Sequence, residues 1–269
     1  MRSIVYLINV DWFFVSHFMH LARRAQAEGY TVVVATEVGR ERARLEAAGF
    51  EVVALPGRRS GLLPAGVLPT VEAVAHELRR RPEAVLHGFG HFGVLVGAMA
   101  AIRARHPRRV YTVTGRGFLA VGDGWTVRSM RQLSRWHYGR IADGAGTRWI
   151  VENLSDIADA GLMRAQQEGR LVTVGGAGVD PDVFHPAPMP PRPPLRVGLV
   201  ARMIWTKGVD LAVEAVERAR SLGADVELTL AGIPDPANPR SLSEAELAGL
   251  ARRPGVSWVG RVDDVPAFW

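Results

Sequence analysis

The segment VGLVARMIWTKGVDLAVEAV, Val197 to Val216, has the pattern of a β-strand, a short loop and an α-helix. The apolar run VGLVA predicts a buried strand, and a helical spacing of apolar residues continues from Val209 to about Leu222. VELTLAG, a second helical stretch from about Ser243 to Arg253, and VSWVG follow in the same rhythm. This succession predicts one βαβαβ half of a nucleotide-binding domain.

The same alternation fills the chain before this segment. Stretches rich in Ala, Leu, Arg and Glu separate seven continuous apolar runs: IVYLIN, TVVVAT, EVVALP, AVLHGF, RVYTVTG, RWIVE and LVTVGG. Continuous apolar strands with helices between them indicate a parallel sheet that is covered on both faces. From Pro186 to Pro194 the proline-rich run predicts a polyproline-type linker. We therefore predict a doubly wound α/β fold with a first domain (residues 1–185), a linker (186–194) and a second domain (195–269).

The composition is that of a globular protein, since 48% of the 269 residues are hydrophobic and 22% are charged. The absence of cysteine excludes disulfides, thiolate nucleophiles and zinc–cysteine sites. The opening residues, MRSIVYLINVDWFF, lack the small-residue cleavage site of a signal peptide and predict the first strand. The charge-free stretch between Glu83 and Arg103 is long enough for a membrane span, but its four glycines favour a buried strand, a glycine loop and a buried helix.

Three residues of the opening segment are candidates for binding a diphosphate. The chain contains 33 lysine and arginine residues, and Lys207 is the only lysine among them. Arg202 follows the strand, and Lys207 and Gly208 precede the helix, so that a guanidinium, an ammonium and a helix N-terminus converge on the carboxyl edge of the sheet. The alternative is that Arg202 pairs with a surface carboxylate and Lys207 merely ends a loop.

Polar residues after the first strand are candidates for lining a cleft at the carboxyl edge of the first sheet. Asp11, Ser16 and His17 follow the strand, with Ser16 as an N-cap and His17 near a helix start. His17 and His20 lie one helical turn apart, but no third metal ligand is near them. Packing is therefore the favoured role of His20.

Two glycine-rich segments supply further candidates. His87 ends the predicted fourth strand, and His91 follows in a glycine loop. Arg116 lies in a second glycine loop, where it could meet a phosphate group; that loop contains Thr114, Gly115, Arg116 and Gly117. Each histidine could equally be a hydrogen-bonded structural residue. Asn153 and Asp156 are expected only to cap a helix.

Several segments together resemble the family 4 glycosyltransferases. ARMIWTKGVDLAVEA resembles the R-x4-K-G segment of that family, and GGAGVDPDVFHP resembles the segment that ends its first domain. NVDWFFVSHFMHLARRAQAEGYTVVVAT resembles the opening of bacterial members that extend lipid-linked or surface-polysaccharide oligosaccharides. VTGRGF, VENLSDI, PDPANP and WVGRVDDV occur in the expected order. The resemblance covers essentially the whole chain.

The resemblance implies a GT-B fold, in which two Rossmann-like domains face each other. It implies retaining transfer of a hexose-type sugar from a nucleotide-sugar donor, UDP-linked, to a lipid-linked or polysaccharide acceptor, without a cofactor or metal. Arg202 and Lys207, with Gly208, would bind the donor diphosphate and stabilise it as it leaves. His87 would lie near the reacting sugar, and Arg116 could meet an acceptor phosphate. Asp180 belongs to a D-x-D string, but its place in the hinge-like segment implies that it caps or orients the hinge.

The resemblance also implies a location in the cell, and the sequence departs from the family pattern at two places. A lipid-linked acceptor implies a cytoplasmic enzyme, peripheral on the inner face of the plasma membrane. The arginine face of WTVRSMRQLSRWHYGRIA (Arg128, Arg131 and Arg135) would be an ordinary solvated face or, by hypothesis, a contact with anionic lipid. Phe92-Gly93 stands where the bacterial subgroup usually has Lys-Pro, and the E-x7-E glutamate pair of the family is missing.

We interpret the missing glutamate pair as a C-terminal truncation that leaves the second domain incomplete and weakly stable, and we expect the chain alone to be inactive. The alternative is a non-catalytic module that binds acceptor or lipid and needs a partner for the donor site. The net charge of +6 favours anionic partners. Nucleic acid is not expected, because basic and aromatic residues are not interleaved and no binding motif is present.

Overall fold

The computed structural model of the chain describes residues 2–56, 64–114, 124–236 and 238–269. The chain divides into two compact units, Met1–Val179 and Asp180–Trp269. Continuous apolar runs form the strands of both units, and all strand pairs in both sheets are parallel. The predicted α/β fold is thereby confirmed.

The first unit contains a seven-stranded sheet with the order β3-β2-β1-β4-β5-β6-β7. This order is Rossmann-like, because the chain runs outward from β1 to β3 and then returns to the other side of β1. The strands are β1 Ser3–Val10, β2 Thr31–Glu37, β3 Glu51–Ala54, β4 Val85–Phe89, β5 Arg109–Val113, β6 Thr147–Val151 and β7 Leu171–Thr173.

Helices connect these strands. They are α1 Asp11–His17, α2 Met19–Ala27, α3 Arg42–Ala47, α4 Pro64–Arg80, α5 Gly90–Ala104, α6 Trp125–Trp136, α7 Leu154–Asp159 and α8 Met163–Gln167. A π-helical segment, His137–Ala142, continues α6.

Alternate residues of the strands build a core on each face of this sheet. Val5 and Leu7 belong to one buried cluster, which also contains residues of α4 and α5. Tyr6 and Ile8 belong to the other cluster, which also contains residues of α1 and α2. Both faces of β1 are therefore covered, as its continuous apolar sequence predicts.

Helix α5 packs directly on the sheet through two glycines. A Cβ on Gly93 would lie 2.7 Å from the carbonyl carbon of Gly88 and 2.9 Å from the carbonyl oxygen of Leu7. Only hydrogen at this position lets the helix approach β4 and β1 so closely. The predicted glycine loop after β4 is wrong, because α5 begins at Gly90, the residue after the strand ends.

The second unit contains a three-stranded parallel sheet with the order β10-β9-β8. Its strands are β8 Leu195–Val200, β9 Val226–Ala231 and β10 Val256–Trp258, and its helices are α9 Val209–Ser221, α10 Glu244–Ala251 and α11 Val265–Phe268. Ser243 and Glu246 form a capping box at the start of α10. Residues of the three strands, α9 and α10 bury one apolar cluster.

In the described part of the chain, no helix is both long enough and apolar enough to pass through a bilayer.

Candidate functional site

The residues predicted to bind a diphosphate lie at the carboxyl edge of the second sheet. β8 ends at Val200, Arg202 follows it, and a short 3-10 turn, Trp205–Lys207, leads into α9. Gly208 has φ +70°, and its N–H donates to the carbonyl of Trp205, 3.0 Å away. Glycine is therefore required here for its left-handed backbone, which turns the chain into the helix. The first turn of α9 leaves N–H groups without intrahelical acceptors at the positive end of the helix.

The side chain of Arg202 is engaged with a carboxylate. Its Nη1 donates to Oδ2 of Asp235, 2.5 Å away, and the N–H of Asp235 donates to Oγ of Ser241, 2.9 Å away. The alternative expected from the sequence, a pairing of Arg202 with a carboxylate, is therefore observed. The Arg202 side chain is 45% exposed. An ion pair this exposed contributes about 1 kcal/mol or less, so an anion can compete for the guanidinium. Lys207 is exposed at the end of the turn.

His87 lies inside the first sheet. It occupies the middle of β4, not its end, and is 5% exposed. Its Nε2 is 2.7 Å from Oγ1 of Thr112, and its ring stacks on Phe89 with centroids 4.2 Å apart. Burial lowers the pKa of His87 from 6.5 to about 3. The imidazole is therefore neutral at pH 7, and its predicted position at the sheet edge is corrected.

Asp11 is the first residue of α1, directly after β1. Its buried carboxylate accepts three backbone N–H groups: those of Trp12 at 2.7 Å, Gly39 at 2.6 Å and Glu41 at 3.0 Å. Both carboxylate oxygens thus join the start of α1 to the segment after β2. This side chain shapes the edge of the sheet by holding two chain segments together.

Ser16 and His17 end helix α1, and Phe18 is the N-cap of α2, so the predicted N-cap at Ser16 is wrong. His17 does lie near a helix start, because α2 begins two residues later, at Met19. Asp11 begins the helix five residues before Ser16. The Ser16 hydroxyl lies 3.2 Å from the carbonyl oxygen of Phe13 and 2.7 Å from Nδ1 of His17. The His17 ring contacts Phe13 with centroids 4.3 Å apart, and His20 is exposed on α2.

His91 is the second residue of α5, and its Nδ1 bonds to the hydroxyl of Tyr138. It borders a pocket of about 160 Å³, which is lined by His91, Val113, Arg131, Gln132, Ser134, Arg135, Tyr138, Asp159 and Ala160. Thr114 follows β5, and a Cβ on Gly90 would lie 3.1 Å from its hydroxyl oxygen. Gly115, Arg116 and Gly117 lie outside the described residues.

Glu152 is a candidate that the sequence analysis missed. It directly follows β6, and burial together with the negative charge of Asp156 raises its pKa. The Asn153 amide donates to Oδ2 of Asp156, 3.3 Å away, and makes no cap to the backbone of α7. A carboxylate after a buried strand, as in RWIVE, was the available signal. A carboxyl group with a raised pKa can take up a proton more readily than an ordinary glutamate.

Asp180 shapes a turn in the second unit. Its Oδ1 accepts the N–H of Asp182 at 3.0 Å, and its carbonyl accepts the N–H groups of Val183 and Phe184. This geometry is that of a capping residue. Within the part of the chain that the structure describes, no three His, Asp or Glu side chains are grouped as metal ligands.

Solved structures share this fold. A glycosyltransferase from Rickettsia africae has 15% identity and a TM-score of 0.66, with 99% of this chain and 70% of that chain covered. HepE of Anabaena, in complex with UDP and glucose, has 17% identity and a TM-score of 0.69, with 100% and 72% covered. A UDP-GlcNAc 2-epimerase from Methanocaldococcus jannaschii has 11% identity and a TM-score of 0.54, with 99% and 75% covered. At these identities the likeness shows the fold alone.

The sequence itself matches a family. No curated protein sequence matches the chain significantly. The family described as glycosyl transferase 4-like matches residues 3–142, which is more than half of the chain. With the parallel seven-stranded sheet and its GT-B neighbours, this match identifies the chain as a member of the glycosyl transferase 4-like family with a GT-B fold.

Proposed function

We propose that the chain acts in a retaining, metal-independent glycosyltransferase that moves a hexose from a UDP-sugar to a lipid-linked or polysaccharide acceptor. The reaction would serve cell-envelope polysaccharide assembly on the cytoplasmic side of the plasma membrane. Family membership supports sugar transfer, and the complex of HepE with UDP and glucose supports a UDP-linked donor.

The observation that carries this proposal is the group of positive charges at the carboxyl edge of the second sheet. Arg202, Lys207 and the N-terminus of α9 lie within one strand–turn–helix unit. Breaking the bond between the anomeric carbon and the phosphate oxygen leaves the electron pair on UDP, whose diphosphate becomes more negative. Cations held in place stabilise this charge more in the transition state than in the ground state. Lys207 suits the role because its ammonium rotates freely, and Arg202 can exchange Asp235 for two phosphate oxygens.

The acceptor is assigned to the first unit. The edge of its sheet is formed by residues that follow β1, β4, β5 and β6, and we assign acceptor contacts to His17, His91, Thr114 and Glu152. Glu152 is suited to accept the proton of the acceptor hydroxyl. Asp11 and His87 would support this edge from within, since each already bonds to protein groups.

Calorimetric titration with UDP tests the donor site. Lys207→Ala should weaken UDP binding roughly tenfold or more, since it removes a charge-assisted hydrogen bond. Arg218→Ala is the matched control, because Arg218 is exposed near the other end of α9 and its loss changes the net charge equally. Equal UDP affinity of wild type and Lys207→Ala would overturn this donor site.

A further inference from the structure

Helix α6 exposes three large apolar side chains on one face. Trp125 is 76% exposed, Leu133 is 64% exposed and Trp136 is 54% exposed. At about 100° per residue, positions 125, 133 and 136 fall within about 80° of each other around the helix axis. Val127, on the opposite face, is buried. The three apolar side chains therefore lie along one strip of the helix surface, with Ser129 and Gln132 between them, and the core of the first unit does not use this strip.

Arginines border this strip. Arg128 and Arg135 lie about 60° to 80° from Trp125 around the helix, on the side away from Leu133. Both side chains are exposed, and Arg140 follows in the π-helical segment. Tryptophan and arginine side by side match the interface of a bilayer, where indole rings lie at the headgroup level and guanidinium groups meet anionic phosphates.

We propose that α6 lies in the surface of an anionic bilayer, with Trp125, Leu133 and Trp136 among the lipid chains and Arg128 and Arg135 at the headgroup phosphates. The inference rests on the proposed function in one respect: a lipid-linked acceptor has to be reached at a membrane. The exposed arginines also favour an anionic bilayer over a second copy of the chain as the partner of this strip. Two copies joined symmetrically through this strip would bring their arginines together and repel each other.

Sedimentation with vesicles tests this docking surface in the full chain. We expect binding to vesicles of equal parts phosphatidylcholine and phosphatidylglycerol, and much less binding to phosphatidylcholine alone. Trp125→Ser/Trp136→Ser should weaken the binding roughly tenfold or more, because it removes most of the apolar contact. Arg128→Gln should weaken it about fivefold, as expected for one basic residue near an anionic surface.

Two control variants make comparable changes, the loss of an apolar side chain and the loss of a charge, elsewhere in the first unit. Ile102→Ser removes an apolar side chain that is 56% exposed on α5, and Arg23→Gln removes an exposed charge on α2. Both should bind vesicles like wild type. Equal sedimentation of wild type and Trp125→Ser/Trp136→Ser would overturn the proposal. So would a concentration-dependent dimer that the double variant abolishes, with no vesicle binding by wild type.

Measuring UDP affinity in the same variants separates this proposal from the donor site. The tryptophan variant should keep wild-type UDP affinity, and Lys207→Ala should keep wild-type vesicle binding. Failure of one assay therefore leaves the other assignment standing.

Discussion

The structural role of Asp11 follows from its hydrogen-bond partners, which the sequence alone does not identify. Its carboxylate follows the first strand, as the sequence shows, but its hydrogen bonds go to the backbone of Gly39 and Glu41, which are distant in sequence. Arg202 is a second case, because its partner, Asp235, comes from the segment after β9. Residue type and position relative to a strand are visible in the sequence. Partners across the sheet edge depend on the packing of separate loops, which no local pattern encodes.

His87 gives a pH dependence that can be measured. Its pKa is about 3 when folded, against 6.5 for an unperturbed histidine. Between these pH values the unfolded chain binds a proton that the folded chain excludes, so stability is fully present above pH 6.5 and falls as the pH is lowered toward 3. The slope for one such group is about 1.4 kcal/mol per pH unit.

Urea unfolding of wild type and His87→Gln at several pH values from neutral to acidic isolates this contribution. Glutamine does not titrate, so the wild type should lose about 2 kcal/mol relative to the variant between pH 6.5 and pH 5. Other titrating groups affect both proteins alike and cancel in the difference. Parallel stability curves would show that His87 is accessible to protons in the folded state.

At the scale of elements, strands were predictable and junctions were not. The run TVVVAT lies within β2, Thr31–Glu37, because a strand buried on both faces needs a continuous apolar sequence. The junction between β4 and α5 was predicted as a loop, since glycines usually mark loops. Here Gly93 is needed for close packing of helix on strand, and a one-dimensional pattern does not distinguish these two uses of glycine.

The role of Gly93 predicts a destabilised Gly93→Ala variant. Its new methyl group would lie within 3 Å of backbone atoms of both β4 and β1, and backbone cannot move aside as a flexible side chain can. We expect a loss of about 3 kcal/mol in the unfolding free energy of the first unit. Urea unfolding followed by far-UV circular dichroism measures it.

Gly249→Ala is the control, because Gly249 lies within α10 and a Cβ there would have its nearest contact at 3.6 Å, with a flexible arginine. Alanine should stabilise that helix by about 1 kcal/mol or less. A Gly93→Ala variant as stable as wild type would mean that α5 can shift away from the sheet.

At the scale of the whole molecule, the two units differ in how much core they bury. The first has a seven-stranded sheet with an apolar cluster on each face, whereas the second has three strands and one cluster. Because stability grows with buried apolar surface, amides of β8, β9 and β10 should exchange with solvent faster than those of β1, β4 and β5.

UDP should change this exchange pattern in one unit only. A ligand that binds the folded second unit at about a hundred times its Kd stabilises that unit by about 2.7 kcal/mol, which slows exchange through its unfolding about a hundredfold. Amides of β8 and β9 should therefore gain protection with UDP, whereas those of β1 and β4 should not. In Lys207→Ala the gain should shrink at the same UDP concentration, because less of the chain is bound. Protection gained in the first unit alone would place the nucleotide on the wrong sheet for this proposal, and the positive charges after β8 would then have another role.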